Sequence, residues 1–179
     1  MNGVEKILID EESLSKRVRE LAQQITEDYK DKPLLIVGIL KGSVPFMADL
    51  FRLIQLEDLA IDFMSVSSYN NGTVSSGRLR VIKDLDVDIS GKDVLIIEDI
   101  VDTGFTLSNL KDMLNLRNPA SLKICTILNK PSRRTTEIDV EYIGFDVPDE
   151  FVIGYGLDYD EKYRNLPYVG VLKREMYEK

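Results

Sequence analysis

The stretch VLIIEDIVDTGFTL, Val94 to Leu107, decides the fold. Val94, Leu95, Ile96 and Ile97 form a short run of branched apolar residues, the pattern of a strand covered on both faces. Three carboxylates follow, Glu98, Asp99 and Asp102, and then Thr103, Gly104, Phe105 and Thr106. A chain that leaves a buried strand through acids, glycine and hydroxyls and then enters a helix exposes backbone N–H groups at a helix N-terminus, which receives a phosphate well. Gly104 permits close approach of the backbone and a positive φ. The spacing is neither GxxxxGK[ST] nor GxGxxG, so a mononucleotide-like phosphate fits better than a dinucleotide. An Asp or Thr helix cap would use the same residues.

Working outward, Leu14, Val18, Leu21 and Ile25 recur at spacings of 4, 3 and 4, predicting an amphipathic helix over Glu11–Tyr29. LLIVGIL (Leu34–Leu40) reads as a doubly covered strand, and SVPFMADLFRLI as a helix with Ser43 as N-cap and Pro45 in its first turn. AIDFMSV and RLRVIKD are strands flanking SSYNNGTVSSG (residues 67–77), a polar stretch expected to be a mobile loop. LSNLKDMLNL is a helix, and LKICTIL, VEYIGFDV and FVIGYGL are strands. This alternation predicts a single α/β domain over residues 1–179, with a mostly parallel twisted sheet flanked by helices.

Composition narrows the chemistry. The chain has 179 residues, enough to bury about two-thirds of its unfolded surface. Its 23 Lys and Arg against 31 Asp and Glu give a net charge of −8, which argues against nucleic acid as the main partner but leaves room for a small anion. With no histidine, Ser-His and Cys-His catalysis and His-based metal sites are excluded, so a metal would be a hard cation on oxygen ligands, such as Mg²⁺. The single cysteine, Cys125, lies in an apolar run and fits a reducing compartment. The first residues lack a signal-peptide pattern and no run is long enough for a transmembrane helix, so a cytoplasmic protein is expected.

In a parallel sheet ligands sit at the carboxyl ends of the strands. That rule sets three loops side by side: LKGS (Leu40–Ser43), EDIVDTGFT, and NKPSRR (Asn129–Arg134). Glu98 and Asp99 are neighbours in an extended segment and point to opposite sides. Carboxylates so close together need cations, donors or raised pKa values, which ribose hydroxyls and Mg²⁺ would satisfy.

On these residues the chain resembles the type I phosphoribosyltransferases, whose signature is an apolar strand, two acids and a D-T-G-x-T loop. Over nearly its whole length it is similar to the hypoxanthine-guanine branch of that family: LKGS to the pyrophosphate loop, SSY to the mobile-loop motif, KP to the base-contacting lysine, and FVIGYGLDYDEKYRNLPYVGVL (Phe151–Leu172) to the base-binding segment. The resemblance implies the family's fold, with a small hood formed by terminal segments, and the transfer of phosphoribose from phosphoribosyl pyrophosphate to hypoxanthine or guanine with Mg²⁺. It also implies a homodimer or homotetramer.

The roles implied are as follows. Glu98 and Asp99 hold the ribose hydroxyls, directly or through Mg²⁺, and Asp102 accepts the N7 proton as general base. Residues 102–106 (Asp102, Thr103, Gly104, Phe105, Thr106) wrap the 5′-phosphate. Leu40, Lys41, Gly42 and Arg164 bind pyrophosphate, with a cis peptide common between the positions of Leu40 and Lys41. Lys130 donates to the purine O6, Phe151 stacks on the ring, the Val152 backbone reads its edge, and Asp158 ligates a second Mg²⁺. Ser68 and Tyr69 ride a lid.

The chemistry is consistent with those roles. An oxocarbenium-like sugar is favoured by carboxylates, and Lys41, Arg164 and Mg²⁺ can neutralise a leaving pyrophosphate. A lid that expels water protects the sugar from hydrolysis. Lys130 would meet an adenine amino group donor to donor, which favours 6-oxopurines. The rivals are an RNA-binding attenuator on the same scaffold, against which Asp102 and the charge of −8 count, and a xanthine-preferring transferase, which the contacts near Asp158 would decide.

Overall fold

The computed structural model describes residues 3–71 and 74–178, with side chains left undescribed at 68–71 and 74–78. In chain order the elements are β1 (Val4–Ile9), α1 (Glu11–Asp28), β2 (Leu34–Ile39), α2 (Val44–Phe51), β3 (Leu59–Asn71), β4 (Val74–Lys83), β5 (Asp93–Val101), α3 (Phe105–Asn115), β6 (Ser121–Asn129), β7 (Tyr142–Asp146), β8 (Val152–Ile153) and β9 (Val169–Leu172). The main sheet runs β4-β3-β2-β5-β6-β7 and is parallel except where β4 pairs antiparallel with β3. β2 and β5 lie at its centre, so the two strongest apolar runs in the sequence become its two most enclosed strands.

Alternation along those strands divides the core. Leu34 and Ile36 of β2 and Leu95 and Ile97 of β5 pack with α1 and α2 on one face. Leu35, Val37, Val94 and Ile96 pack with Leu107, Leu110 and Leu114 of α3 on the other. Val94 to Ile97 are fully buried, each side chain worth about 1.5–3 kcal/mol of transfer free energy. Cys125 is buried in the first of these clusters, and burial pushes its thiol pKa up. Among the described residues no helix is long and apolar enough to cross a membrane.

α1 spans nearly its expected range and is capped by Asp10, whose Oδ1 accepts from Ser13 N at 2.8 Å. Other expectations need correction. Ser43 precedes α2 without capping it; its hydroxyl donates back to the Ile39 carbonyl at 2.7 Å. β5 continues to Val101, so Glu98 and Asp99 lie within the strand rather than after it. Their neighbours keep pairing with β6 through Ile100↔Leu128 and Val101↔Asn129, which carries the ladder past the acids. Within the polar stretch 67–77, expected as a loop, the described backbone at 67–71 and 74–77 continues β3 and β4 as an antiparallel ribbon, with Ser67↔Arg80 and Asn71↔Val74 in register. The side chains of Ser68 and Tyr69 lie outside the described ones.

FVIGYGL is strand only at Val152–Ile153. Positive φ at Gly154, Tyr155 and Gly156 then turns the chain. β8 joins β9 and β1 in a separate antiparallel sheet of order β1-β9-β8. This is the hood, built from segments near both ends of the chain. Neither β1 nor β9 was marked by a turn signal or a distinct strand pattern, since each pairs only within this small sheet.

Candidate active site

The sheet order places the ends of β2, β5 and β6 side by side, and the three loops expected to meet do meet there. At the end of β2 the Leu40–Lys41 peptide is cis. Gly42 is held against Asp99: a Cβ at position 42 would fall 1.7 Å from Asp99 Oδ2. From the other side, a Cβ on Gly156 would fall 1.9 Å from the Gly42 carbonyl oxygen, and Gly156 has φ +100°. The 40–43 backbone therefore threads between the β5 acids and the turn after β8 with no room for a side chain at position 42.

Beside it, Lys41 Nζ pairs with Glu161 at 3.0 Å, and the Arg164 guanidinium pairs with Asp158 at 2.9 Å and Glu161 at 3.2 Å. Arg164 also donates to the Gly156 carbonyl at 2.7 Å, while its buried Nε has no hydrogen-bond partner among the described residues. The Glu161 carboxylate, which the sequence reading did not single out, thus sits between two cations. Hydrogen bonds from Lys41 first and Arg164 second hold its pKa below the usual carboxylate range.

Glu98 and Asp99 take opposite sides of β5, as an extended segment requires. Asp99 faces the Gly42 loop, whereas Glu98 lines a cavity of about 220 Å³ with Ile100, Val101, Asp102, Thr103, Gly104, Thr106 and Leu107. Burial, then the Asp99 charge, pushes the Glu98 pKa well above its ordinary value. Burial also raises Asp99, opposed chiefly by its hydrogen bond from Ile100 N at 2.7 Å. Gly104 precedes α3 with φ +83°, a left-handed geometry that costs a side chain about 1–2 kcal/mol. Neither Asp102 nor Thr103 caps the first turn in the expected way, and Phe105 N reaches Thr103 Oγ1 only at 3.4 Å. The loop is braced from outside instead, by Thr135 N and Thr136 N donating to the Thr103 carbonyl at 3.0 and 3.1 Å.

A second cavity, about 450 Å³, opens between the main sheet and the hood. Asp102, Lys130, Phe151, Val152 and Asp158 all line it, so the residues expected to meet the purine and to take its proton are brought together. Lys130 is 8% exposed and donates from Nζ to the Glu150 carbonyl at 2.6 Å, leaving its other N–H groups for a further acceptor. Phe151 is 37% exposed. The usual places of the two residue types are exchanged: the charge is inside and the ring is open. Ile100 and Asp102 line both cavities and form the wall between them.

Six residues lining the larger cavity were missed, Ile100, Arg133, Asp149, Glu150, Leu157 and Tyr177. Arg133 lies within the quoted NKPSRR loop and pairs with Asp102 at 3.3 Å and Asp149 at 3.8 Å. Its salt-bridge role depends on where the loop after β6 folds, which no local pattern encodes. Ile100 reads as one more apolar strand residue. Tyr177 belongs to no motif.

A family model described as a phosphoribosyl transferase domain matches residues 5–160. The chain belongs to the phosphoribosyl transferase family. Within that family it is 54% identical over 177 residues to the hypoxanthine-guanine phosphoribosyltransferase of Bacillus subtilis (strain 168), covering 99% of this chain and 98% of that one. It is 52% identical over 176 residues to the bifunctional protein TilS/HprT of Listeria monocytogenes (strain EGD-e); there it spans 98% of itself and 27% of the relative's length. A crystal structure of a hypoxanthine phosphoribosyltransferase from Staphylococcus aureus superposes with a TM-score of 0.95 at 52% identity, covering 99% of this chain and 96% of that one. The mostly parallel sheet flanked by helices is the fold these family members share.

Proposed function

We propose that the protein transfers the 5-phosphoribosyl group from phosphoribosyl pyrophosphate to hypoxanthine, and to guanine, releasing IMP or GMP and pyrophosphate. The observation that carries this reading is the inverted pair in the larger cavity. A buried lysine and an open aromatic ring face one space, whose wall toward the phosphate loop is Asp102. A flat heterocycle with a carbonyl acceptor suits such a space: Phe151 offers a stacking face and Lys130 a donor for O6. The Val152 backbone and Asp158 read the opposite edge.

The smaller cavity receives the ribose 5′-phosphate at the α3 N-terminus, through Thr103–Thr106, with Glu98 toward the ribose hydroxyls. Pyrophosphate sits over Leu40, Lys41 and Gly42. Lys41 and Arg164 already share one carboxylate there, so two cations converge on an anionic oxygen. In the transfer a purine ring nitrogen bonds the anomeric carbon, the bond from that carbon to the pyrophosphate oxygen breaks, and Asp102 takes the N7 proton. Glu98 and Asp99 favour the positive charge that develops on the sugar. Ser68 and Tyr69 would cover the centre during transfer.

The donor set fits Mg²⁺, being all oxygen, desolvated and raised in pKa at Glu98 and Asp99. Among the described residues no three His, Cys, Asp or Glu side chains form a metal cage on their own. Mg²⁺ would therefore share its shell between Glu98 or Asp99, or at a second position Asp158, and substrate oxygens. When bound it supplies positive charge beside the pyrophosphate. A reducing cytoplasm suits the buried Cys125, and a homodimer or homotetramer is the assembly expected of this family.

Turnover with hypoxanthine, guanine, xanthine and adenine, each with phosphoribosyl pyrophosphate and Mg²⁺, tests the reading. Hypoxanthine and guanine should give their monophosphates. Adenine should be slower by about tenfold to a hundredfold or more, the cost of an unpaired buried donor. Adenine turnover equal to that of hypoxanthine would overturn the assignment of Lys130, and preferred turnover of xanthine would move the substrate.

A further inference from the structure

Tyr177 stacks on Phe151, with ring centroids 5.2 Å apart and planes 29° from parallel, and it lines the larger cavity with Lys130 and Asp102. Phe151 has a second aromatic neighbour, Tyr159, edge-on at 5.6 Å and 86°. The register of the hood explains this arrangement. Val152 pairs with Val171 and Ile153 with Gly170, and Leu172 N donates to the Phe151 carbonyl at 2.8 Å. Cross-strand partners share a face, so Val152 turns toward the main core while Phe151 lies with Ile153 and Leu172 on the hood's other face. Tyr159 and Tyr177 both pack against the Ile153 and Leu172 cluster on that face.

The chain is also held in place here. Residues 174–176 form one turn of 3₁₀ helix, Lys173 N donates to the Gly3 carbonyl at 3.0 Å, and Tyr159 Oη donates to the Met176 carbonyl at 2.6 Å. Tyr177 is therefore delivered to Phe151 by anchored backbone. A ring with 37% of its surface open would otherwise be free to turn about its side-chain bonds. Bracketed by a stacked and an edge-on neighbour, it is held in one plane.

Resting on the purine-site reading above, we infer that Tyr177 is a positioning residue for the purine: it braces Phe151 from the hood side, so that the platform for the base is fixed before the base arrives. A preformed platform lowers the ordering cost of binding. The brace acts on the base alone, through Phe151, so it should appear in the purine KM and not in the KM for phosphoribosyl pyrophosphate.

The experiment compares Tyr177→Ala, Tyr177→Phe and Phe151→Ala in the full chain, with circular dichroism and Tm measured for each. Tyr177→Ala should raise the hypoxanthine KM roughly two- to tenfold, the value of one aromatic pair, with the other KM and kcat nearly unchanged. Tyr177→Phe keeps the ring and should restore the wild-type KM. Should the alanine variant fold poorly, Tyr177→Leu, which keeps apolar bulk without a ring, should show the same selective rise. Equal change in both KM values, no change in either, or failure of Tyr177→Phe to rescue would overturn the brace. If Phe151→Ala raises the purine KM and Tyr177→Ala does not, the brace alone falls; if Phe151→Ala has no effect, the purine-site reading falls and takes the brace with it.

Discussion

The proposed phosphate side of the site comes from one unbroken stretch, residues 98–107, carried by the central strand β5 and the start of α3, whereas the proposed purine side is assembled from the end of β5, the loop after β6, the loop before β8, the hood and Tyr177. The first is anchored by four fully buried residues immediately before it. The second depends on a hood whose β8 is two residues long and on ion pairs and ring contacts between segments distant in sequence. The first is thus set by local sequence and core burial, the second by tertiary docking. Substitutions on the two sides should affect different substrates.

Lys130→Ala probes the purine side most strongly. It removes a buried ammonium held by the Glu150 carbonyl and, in the proposed complex, a donor to the purine O6. The purine KM should rise about ten- to a hundredfold, with a much smaller change for phosphoribosyl pyrophosphate. Steady-state kinetics with each substrate varied in turn would show this. An equal loss on both sides would erase the division.

A smaller effect is expected on the phosphate side, in stability rather than turnover. Glu98 has a folded-state pKa raised well above its ordinary value. The folded chain therefore holds that proton more tightly than the unfolded chain does. The resulting stability is fully present below the ordinary carboxylate pKa and is lost as pH rises through the raised folded value. Glu98→Gln cannot ionise and should escape that loss. In ligand-free protein without added metal, its Tm should exceed wild type by a few degrees at pH 8, and the gain should vanish toward about pH 4. Thermal melts across that range would check it, and a pH-independent difference would contradict the desolvation account.

The same division governs what could be read from the residues alone. Buried parallel strands announce themselves as branched apolar runs, so β2, β5 and β6 and the three loops at their ends were legible. Opposite placement of Glu98 and Asp99 followed from strand geometry. The Ser43 cap failed because its hydroxyl returns to the Ile39 carbonyl instead. The polar stretch 67–77 carries few apolar residues, yet its described backbone at 67–71 and 74–77 pairs as a ribbon, because ladder hydrogen bonds need no apolar side chains. β1 and β9 pair with each other across most of the chain, a non-local contact that leaves no periodic mark. Arg133, Glu161 and Tyr177 were invisible for the same reason: each matters through a partner far away in sequence.

Asp102 belongs to both sides, lining the phosphate cavity and the purine cavity at once. In the proposed reaction the sugar carbon and the base nitrogen meet beside it, and the account stands or falls on it. The most direct measurement is kcat for Asp102→Asn alongside equilibrium binding of phosphoribosyl pyrophosphate with Mg²⁺. The account predicts a fall in kcat of roughly two to four orders of magnitude, with that binding largely kept. Near-normal turnover, or loss of binding in step with loss of rate, would contradict it.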